Sequence, residues 1–162
     1  GVTARSLLSV VGIARSTTHY QVNAMKRPGK AYLSPVIDCY DGLPVAWTIG
    51  TSPNAELANG MLTDACSTLK DGEKPIIHSD RGCHYRWLEW IRIRKDNNLT
   101  RSTGAKGCSP GNAAAEGFFG RLKQEFFHKR SFAGVSMDRF IGMLEITSEF
   151  LRTFGLFFVE ML

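Results

Sequence analysis

Acidic residues are missing from the start of this 162-residue chain, because no Asp or Glu occurs before Asp38. A carboxylate is the side chain that most often holds a hard divalent cation, and it also serves as a general base. The first 37 residues can therefore supply no acid of this kind to a site.

Cysteine pairs and long apolar runs are missing as well. The four cysteines are widely separated, with no CxxC and no Cys/His spacing that suits tetrahedral zinc, so we expect reduced thiols. No charged-then-apolar leader opens the sequence, and no uncharged run of about 18 apolar residues is present that could span a bilayer. These absences predict a cytoplasmic protein with no membrane partner.

Length and charge favour one domain and allow a polyanionic partner. A chain of 162 residues buries one sizeable core. Its formal net charge of +5 suits nucleic acid, since Lys and Arg near phosphates release condensed counterions. Many ordinary proteins are equally basic, so charge alone leaves both interpretations open.

Helices are predicted at the start of the chain. In residues 4–20 the apolar positions suggest two short helices broken at Gly12, either a helix-turn-helix fragment or a small hairpin packed on the main domain. Their apolar face would comprise Leu7, Leu8, Val10 and Val11. Residues 20–25 alternate in a way that permits a short strand.

The remaining pattern predicts an α/β domain with a mixed sheet. The firmest elements are strands at 31–38 and 43–50, which form a hairpin across Tyr40-Asp41-Gly42. A helix should open at Ser52-Pro53-Asn54 and run to about residue 69, and the last helix should be capped by Ser136. Further strands are expected at 76–79 and 99–101, further helices at 85–97 and 112–127, and a mobile loop at 102–111.

Two acids and a cation indicate a phosphoryl-transfer site. Asp80 follows the apolar run Pro75-Ile76-Ile77, at the carboxyl end of a predicted strand. Glu116 and Lys123 lie two helical turns apart on one face of a predicted helix. Carboxylates hold Mg²⁺ or Mn²⁺, and a cation holds a phosphate. The alternatives without a functional site are that Asp80 forms a turn and that Glu116 and Lys123 lie on a solvent-exposed helix face.

These motifs resemble the catalytic core of insertion-sequence transposases of the retroviral-integrase (DDE) type. The similar stretches are residues 32–38, His78-Ser-Asp-Arg-Gly82 and residues 108–123, which include Asn112-Ala-Ala-Ala-Glu116. The 35 residues between Asp80 and Glu116 match the family's spacing, as does the basic residue seven positions after the Glu. The resemblance covers roughly residues 31–144.

The resemblance implies a ribonuclease-H-like fold and metal-dependent cleavage and transfer of DNA strands. Asp80 and Glu116 would be catalytic metal ligands for Mg²⁺ or Mn²⁺, with His78 and Asn112 beside them. Double-stranded DNA, as transposon ends and target, would be the partner, together with a second copy or an intact transposase. The residues expected to contact DNA phosphates are Arg81, Arg101, Lys106, Arg121 and Lys123.

The sequence departs from the family where the first catalytic Asp should stand. That Asp belongs on the central strand, at residues 20–25, where this chain has Tyr-Gln-Val-Asn-Ala-Met. Asp38 and Asp41 are the nearest substitutes, and Asp38 is expected to be structural or exposed at the rim of the site. We therefore predict impaired activity in an internally deleted copy, with residues 1–25 as a helical remnant or replacement first strand and residues 26–162 as the core. The alternative is a catalytically silent remnant that binds DNA or an intact transposase.

The carboxyl-terminal tail is a further departure. From about residue 146 it lacks the family's basic ending and is rich in apolar residues. A core helix, a dimer contact and an aggregation-prone segment remain alternatives for it.

Overall fold

The computed structural model describes residues 7–10, 30–78, 88–102 and 110–159 of the chain. Within these ranges the secondary structure is a five-stranded sheet with helices packed against it. None of the helices described has the length and apolar character that crossing a membrane requires.

The sheet is mixed, and its first strand lies at the centre. The strands are β1 (Leu7–Val10), β2 (Tyr32–Asp38), β3 (Pro44–Gly50), β4 (Ile76–His78) and β5 (Thr100–Ser102), in the spatial order β3-β2-β1-β4-β5. β1 pairs antiparallel with β2 and parallel with β4, and β5 extends the parallel half. A helix after β3 and another after β4 make the crossovers that parallel pairing requires.

The prediction of a helix at Leu7–Val10 is wrong. The sequence pattern assigned these residues to a helix, but they form the central strand β1, with Leu8 opposite both Asp38 and Ile77. A four-residue apolar run carries too little periodicity to separate the two states, and pairing on both sides favours the strand. The remainder of the predicted helical hairpin and the possible strand at 20–25 lie outside the described residues.

The β2–β3 hairpin is confirmed, and two aspartates shape its turn. Asp38 Oδ1 accepts a hydrogen bond from Tyr40 N (2.9 Å), and Asp41 Oδ1 accepts one from Leu43 N (2.9 Å). The backbone closes the turn, since Gly42 N donates to Asp38 O (2.8 Å). Gly42 has φ = +70°, a conformation that glycine adopts without steric cost.

One face of the sheet is covered by α1 (Ala55–Ser67) and α2 (Leu88–Asp96), as the pattern predicted. α1 begins where Asn54 Oδ1 accepts the amide of Leu57 (3.0 Å), a typical N-cap. The first core cluster joins the two helices to β2, β3 and β4. It contains the buried residues Val36, Ala46, Met61, Leu62, Ala65, Ile77, Trp90 and Leu99.

The second core cluster belongs to α3 (Pro110–Leu122), a π-helical turn (Lys123–Phe127) and α4 (Met137–Val159). Ile37 of β2 joins it, so the two clusters lie on opposite faces of the sheet, since Val36 and Ile37 are neighbours along a strand. Phe126 is fully buried, and its ring centroid lies 5.0 Å from that of Phe132 and 5.2 Å from that of Phe140. These aromatic contacts pack the π-helical turn against α4 and the segment that precedes it.

Several helix bounds differ from the prediction by a turn or less. α3 begins at Pro110, inside the predicted loop, and the predicted helix of residues 112–127 changes to a π-helical turn at Lys123. Ser136 caps α4 as expected, since its Oγ accepts the amide of Arg139 (3.3 Å). The tail beyond residue 146 continues α4 to Val159, with Leu151 buried in the second cluster.

Candidate functional site

Helix α3 presents Glu116 to solvent while it packs on β1 and β2. Ala115, Phe118 and Phe119 are buried on its inner side, and Glu116 between them is exposed. This apolar stripe at helical spacing decides which face of the helix meets the sheet. The Glu116 carboxylate has no hydrogen bond or ion pair with another described residue, so its oxygens remain available to a cation.

Arg121, near the end of α3, is tied to the β2–β3 turn. Its Nη2 donates a hydrogen bond to the carbonyl oxygen of Gly42 at 2.7 Å. Glu116 lies five residues earlier, about 7.5 Å along the helix axis. The last turn of α3 is thus joined to the β2–β3 turn by a solvent-exposed hydrogen bond between a side chain and the backbone.

Lys123 is exposed and opens the π-helical turn. The carbonyl oxygen of Lys123 accepts the amide of His128 (3.1 Å), the bond between residues five apart that defines a π-helix. Glu116 and Lys123 are both accessible on the same continuous helical segment, as the spacing predicted.

Asp38 and Asp41 do not complete a metal site with Glu116. Their Oδ1 atoms accept the amides that shape the β2–β3 turn, and Asp38 is buried. Within the described ranges no three His, Cys, Asp or Glu side chains come together as metal ligands would. The structural role expected for Asp38 agrees with these contacts.

Arg101 of β5 and His78 of β4 lie on the parallel half of the sheet. Arg101 stands opposite Ile77, and its guanidinium carbon is 5.7 Å from the centre of the buried Trp90 ring, within cation–π range. Arg101 and His78 are half-buried.

The other predicted site residues lie outside the described part of the chain. These are Asp80, Arg81 and Lys106, of which Asp80 comes two residues after the end of β4. Asn112 falls in the first turn of α3. The structure therefore brings Glu116, Arg121 and Lys123 onto one helical segment and places Arg101 on the edge strand β5.

Comparison with known proteins identifies this arrangement. Residues 15–109, more than half of the 162, match the integrase core domain family. The chain belongs to the integrase core domain family. The central strand β1 precedes the matched range, so a segment outside it occupies the central position in the sheet of this integrase core.

Its curated relatives are transposases. A probable transposase for insertion sequence element IS1353 of Shigella flexneri is 60% identical over 109 residues, which are 67% of this chain and 21% of that protein. The putative transposase InsK for IS150 of Escherichia coli K12 is 34% identical over 119 residues, 74% of this chain and 41% of that protein. This integrase core thus spans less than half the length of these two relatives.

Solved structures confirm the ribonuclease-H-like fold. A simian T-cell lymphotropic virus intasome, in complex with PP2A regulatory subunit B56 gamma, contains a chain with a TM-score of 0.64 at 17% identity, covering 91% of this chain and 48% of that one. The HTLV-2 integrase catalytic core in complex with magnesium, in its dimeric form, gives 0.58 at 16% identity, covering 91% and 87%. At such identities the likeness establishes the fold alone.

Sequence reasoning missed the bond between Arg121 and Gly42. The pattern assigned Arg121 to DNA, and nothing local links it to a turn 79 residues earlier. The one signal in the sequence was Asp41-Gly42, which predicts a tight turn with an exposed carbonyl.

Proposed function

We propose that this integrase core acts on double-stranded DNA in transposition, by metal-dependent cleavage and transfer of strands. The observation that carries the proposal is the exposed Glu116 on α3, seven residues before the exposed Lys123, in a chain of the integrase core family. An acid and a cation on one accessible helical surface are what a site for a metal and a phosphate requires. The names of relatives that are transposases support the same reaction.

Asp80 and Glu116 would hold Mg²⁺ or Mn²⁺ in this proposal. The accessible Glu116 carboxylate is a suitable hard oxygen ligand. A bound divalent ion supplies Lewis-acid stabilisation of the charge that develops on the phosphate oxygens. Lys123 would hold the DNA backbone near these acids, and Arg81, Arg101, Lys106 and Arg121 would contact neighbouring phosphates.

We further propose that the activity is impaired, because the third acid is missing. β1 has the sequence Leu-Leu-Ser-Val, with no carboxylate on the central strand. Asp38 and Asp41 serve the β2–β3 turn and form no ligand group with Glu116 within the described ranges. Two acids in place of three weaken the affinity for a divalent ion, since charge count sets affinity in such sites.

The second candidate function is that of a core without catalytic activity (the silent core), which binds DNA or pairs with another transposase molecule. The absence of an acid on β1 favours it, and the basic residues Arg101, Arg121 and Lys123 would still supply positive charge for DNA phosphates. A second copy of this chain or an intact transposase would be the protein partner.

A nicking assay separates the two functions. The protein is incubated with a labelled duplex that carries the terminal inverted repeat of its insertion sequence, in 5 to 10 mM Mn²⁺ or Mg²⁺, about the concentration that saturates weak carboxylate sites. Nicking by the wild type that disappears in Glu116→Gln supports the enzyme. Intact DNA together with binding that weakens at high salt supports the silent core.

Lys123→Ala tests the position of the phosphates. If Lys123 neutralises one phosphate, the slope of log K against log salt should become shallower by about 0.9. Lys129→Ala is the matched control, because Lys129 is an exposed lysine that is not among the predicted DNA contacts. Equal slopes for wild type and Lys123→Ala would remove Lys123 from the interface.

A further inference from the structure

Four hydrogen bonds between residues 38–43 stabilise the β2–β3 turn. Asp38 N donates to Leu43 O (2.9 Å) and Gly42 N donates to Asp38 O (2.8 Å). The Oδ1 atoms of Asp38 and Asp41 each accept a backbone amide at 2.9 Å. With its backbone constrained in this way, the turn holds the Gly42 carbonyl in a fixed direction, and that carbonyl accepts Arg121 Nη2 at 2.7 Å.

Helix α3 has two kinds of contact with the rest of the domain. Phe118, Phe119 and Leu122 pack into the second core cluster and determine which face of α3 meets the sheet. Apolar packing decides which face of α3 meets the sheet, and the close packing of these buried side chains also resists a shift along the helix axis. The bond from Arg121 to Gly42 is directional and opposes a shift along the axis.

We propose that Arg121 is a positioning residue, which sets the axial position of α3 and therefore of Glu116 by its hydrogen bond to Gly42. The effect on helix position stands on the structure, and the effect on catalysis rests on the function proposed above. The guanidinium has five N–H donors, so this role leaves others for phosphate oxygens. In this proposal Asp38 and Asp41 also act on the site indirectly, because they stabilise the turn that carries the Gly42 carbonyl.

Two variants weaken the bond in different ways. Arg121→Gln removes the guanidinium. Gly42→Ala keeps every charge, but its new Cβ would lie 3.3 Å from Arg121 Nη2, and φ = +70° is unfavourable for alanine. Arg139→Gln is the matched control, since Arg139 is an exposed arginine on α4.

Amide hydrogen exchange measured by NMR tests the position of the helix. In both Arg121→Gln and Gly42→Ala, the amides of residues 115–120 should exchange about three- to fivefold faster than in the wild type, as expected for the loss of one solvent-exposed hydrogen bond. Those of Phe140 and Leu144 in α4 should stay within twofold. The double variant should exchange no faster than the faster single variant, because the two changes remove one bond. Multiplied effects in the double variant, or unchanged exchange in either single variant, would overturn the proposal.

Nicking kinetics test the link to Glu116. The rate at saturating duplex should fall at least tenfold in Gly42→Ala, while the Kd for the duplex and its salt slope stay within twofold of the wild type. Rate loss with unchanged affinity distinguishes positioning of the acid from loss of a DNA contact. If the α3 amides of Gly42→Ala exchange faster but its nicking rate is unchanged, the proposed effect of Arg121 on catalysis is wrong. If the wild type does not nick DNA, the enzyme proposal fails, and the exchange result still decides the position of α3.

Discussion

The indole Nε1 of Trp47 donates a hydrogen bond to Glu145 Oε2 at 2.6 Å, which joins the edge strand β3 to the long helix α4. The Arg152 guanidinium carbon lies 5.3 Å from the centre of the same indole ring, and Arg152 Nη2 is 2.6 Å from Glu149 Oε1. Two turns of α4 therefore contact one tryptophan of the sheet.

Glu145→Ala should lower the free energy of unfolding by about 0.5 to 1 kcal/mol, a modest loss because the bond is solvent-exposed. Glu145→Gln is the control, since its amide carbonyl can still accept the indole N–H, and it should lose less. Urea denaturation followed by circular dichroism measures both. Equal losses in the two variants would mean that this bond contributes nothing to stability.

Cys66 makes the free energy of unfolding depend on pH in the alkaline range. Burial raises the pKa of its thiol from 9.0 to about 11, because the thiolate is disfavoured away from water. Between these values the unfolded chain releases this proton and the folded chain retains it. The contribution of Cys66 to stability is therefore complete below pH 9 and is lost as the pH rises toward 11.

Cys66→Ala should flatten that decline, as seen in unfolding midpoints at pH 7.5, 9 and 10.5. Cys39→Ala serves as the control, because Cys39 is a half-buried cysteine outside the first core cluster. Identical pH profiles for the wild type and Cys66→Ala would contradict the raised pKa.

Ser9→Pro tests the position of β1. Ser9 stands between Ile37 on one side and His78 on the other, so a proline here removes a donor from the middle of the sheet. We expect a loss of about 3 kcal/mol or more in the free energy of unfolding, by analogy with proline in a helix interior. Ser9→Ala is the control, because it keeps the backbone N–H, and it should lose less stability than Ser9→Pro. A Ser9→Pro protein with an unchanged midpoint would show that Leu7–Val10 is not the central strand.

Phe126→Ala should be the most damaging single change in the second core cluster. The side chain is fully buried and contacts the rings of Phe127, Phe132 and Phe140. Removing such a ring costs about 4 kcal/mol through lost burial and the remaining cavity. Gln124→Ala, at an exposed position of the same π-helical turn, should stay within about 0.5 kcal/mol. A small loss for Phe126→Ala would mean that the aromatic cluster repacks.

Local patterns predicted most of the described fold. The β2–β3 hairpin was visible in its turn residues, and Asn54 and Ser136 marked two helix starts correctly. These features depend on interactions between residues a few positions apart, which a sequence displays directly. The exposed Glu116, between the buried residues Ala115 and Phe118, followed in the same way from helical periodicity.

What could not be predicted depends on distant partners. Leu7–Val10 is a strand because β2 and β4 bond to it on both sides, and neither is near it in sequence. The π-helical turn accompanies packing of Phe126 and Phe127 against rings from beyond the helix. Arg121 and Gly42 are 79 residues apart and meet because α3 packs beside the β2–β3 turn.

The central position of β1 has a consequence for the order in which the domain forms during synthesis. Leu7 leaves the ribosome long before Ile76, its parallel partner. Until β4 is made, β1 can pair with β2 alone, and one edge of a growing antiparallel sheet stays open. Closure across so long a loop makes folding slow, so the nascent chain is most prone to aggregate in the interval before β4 adds to β1.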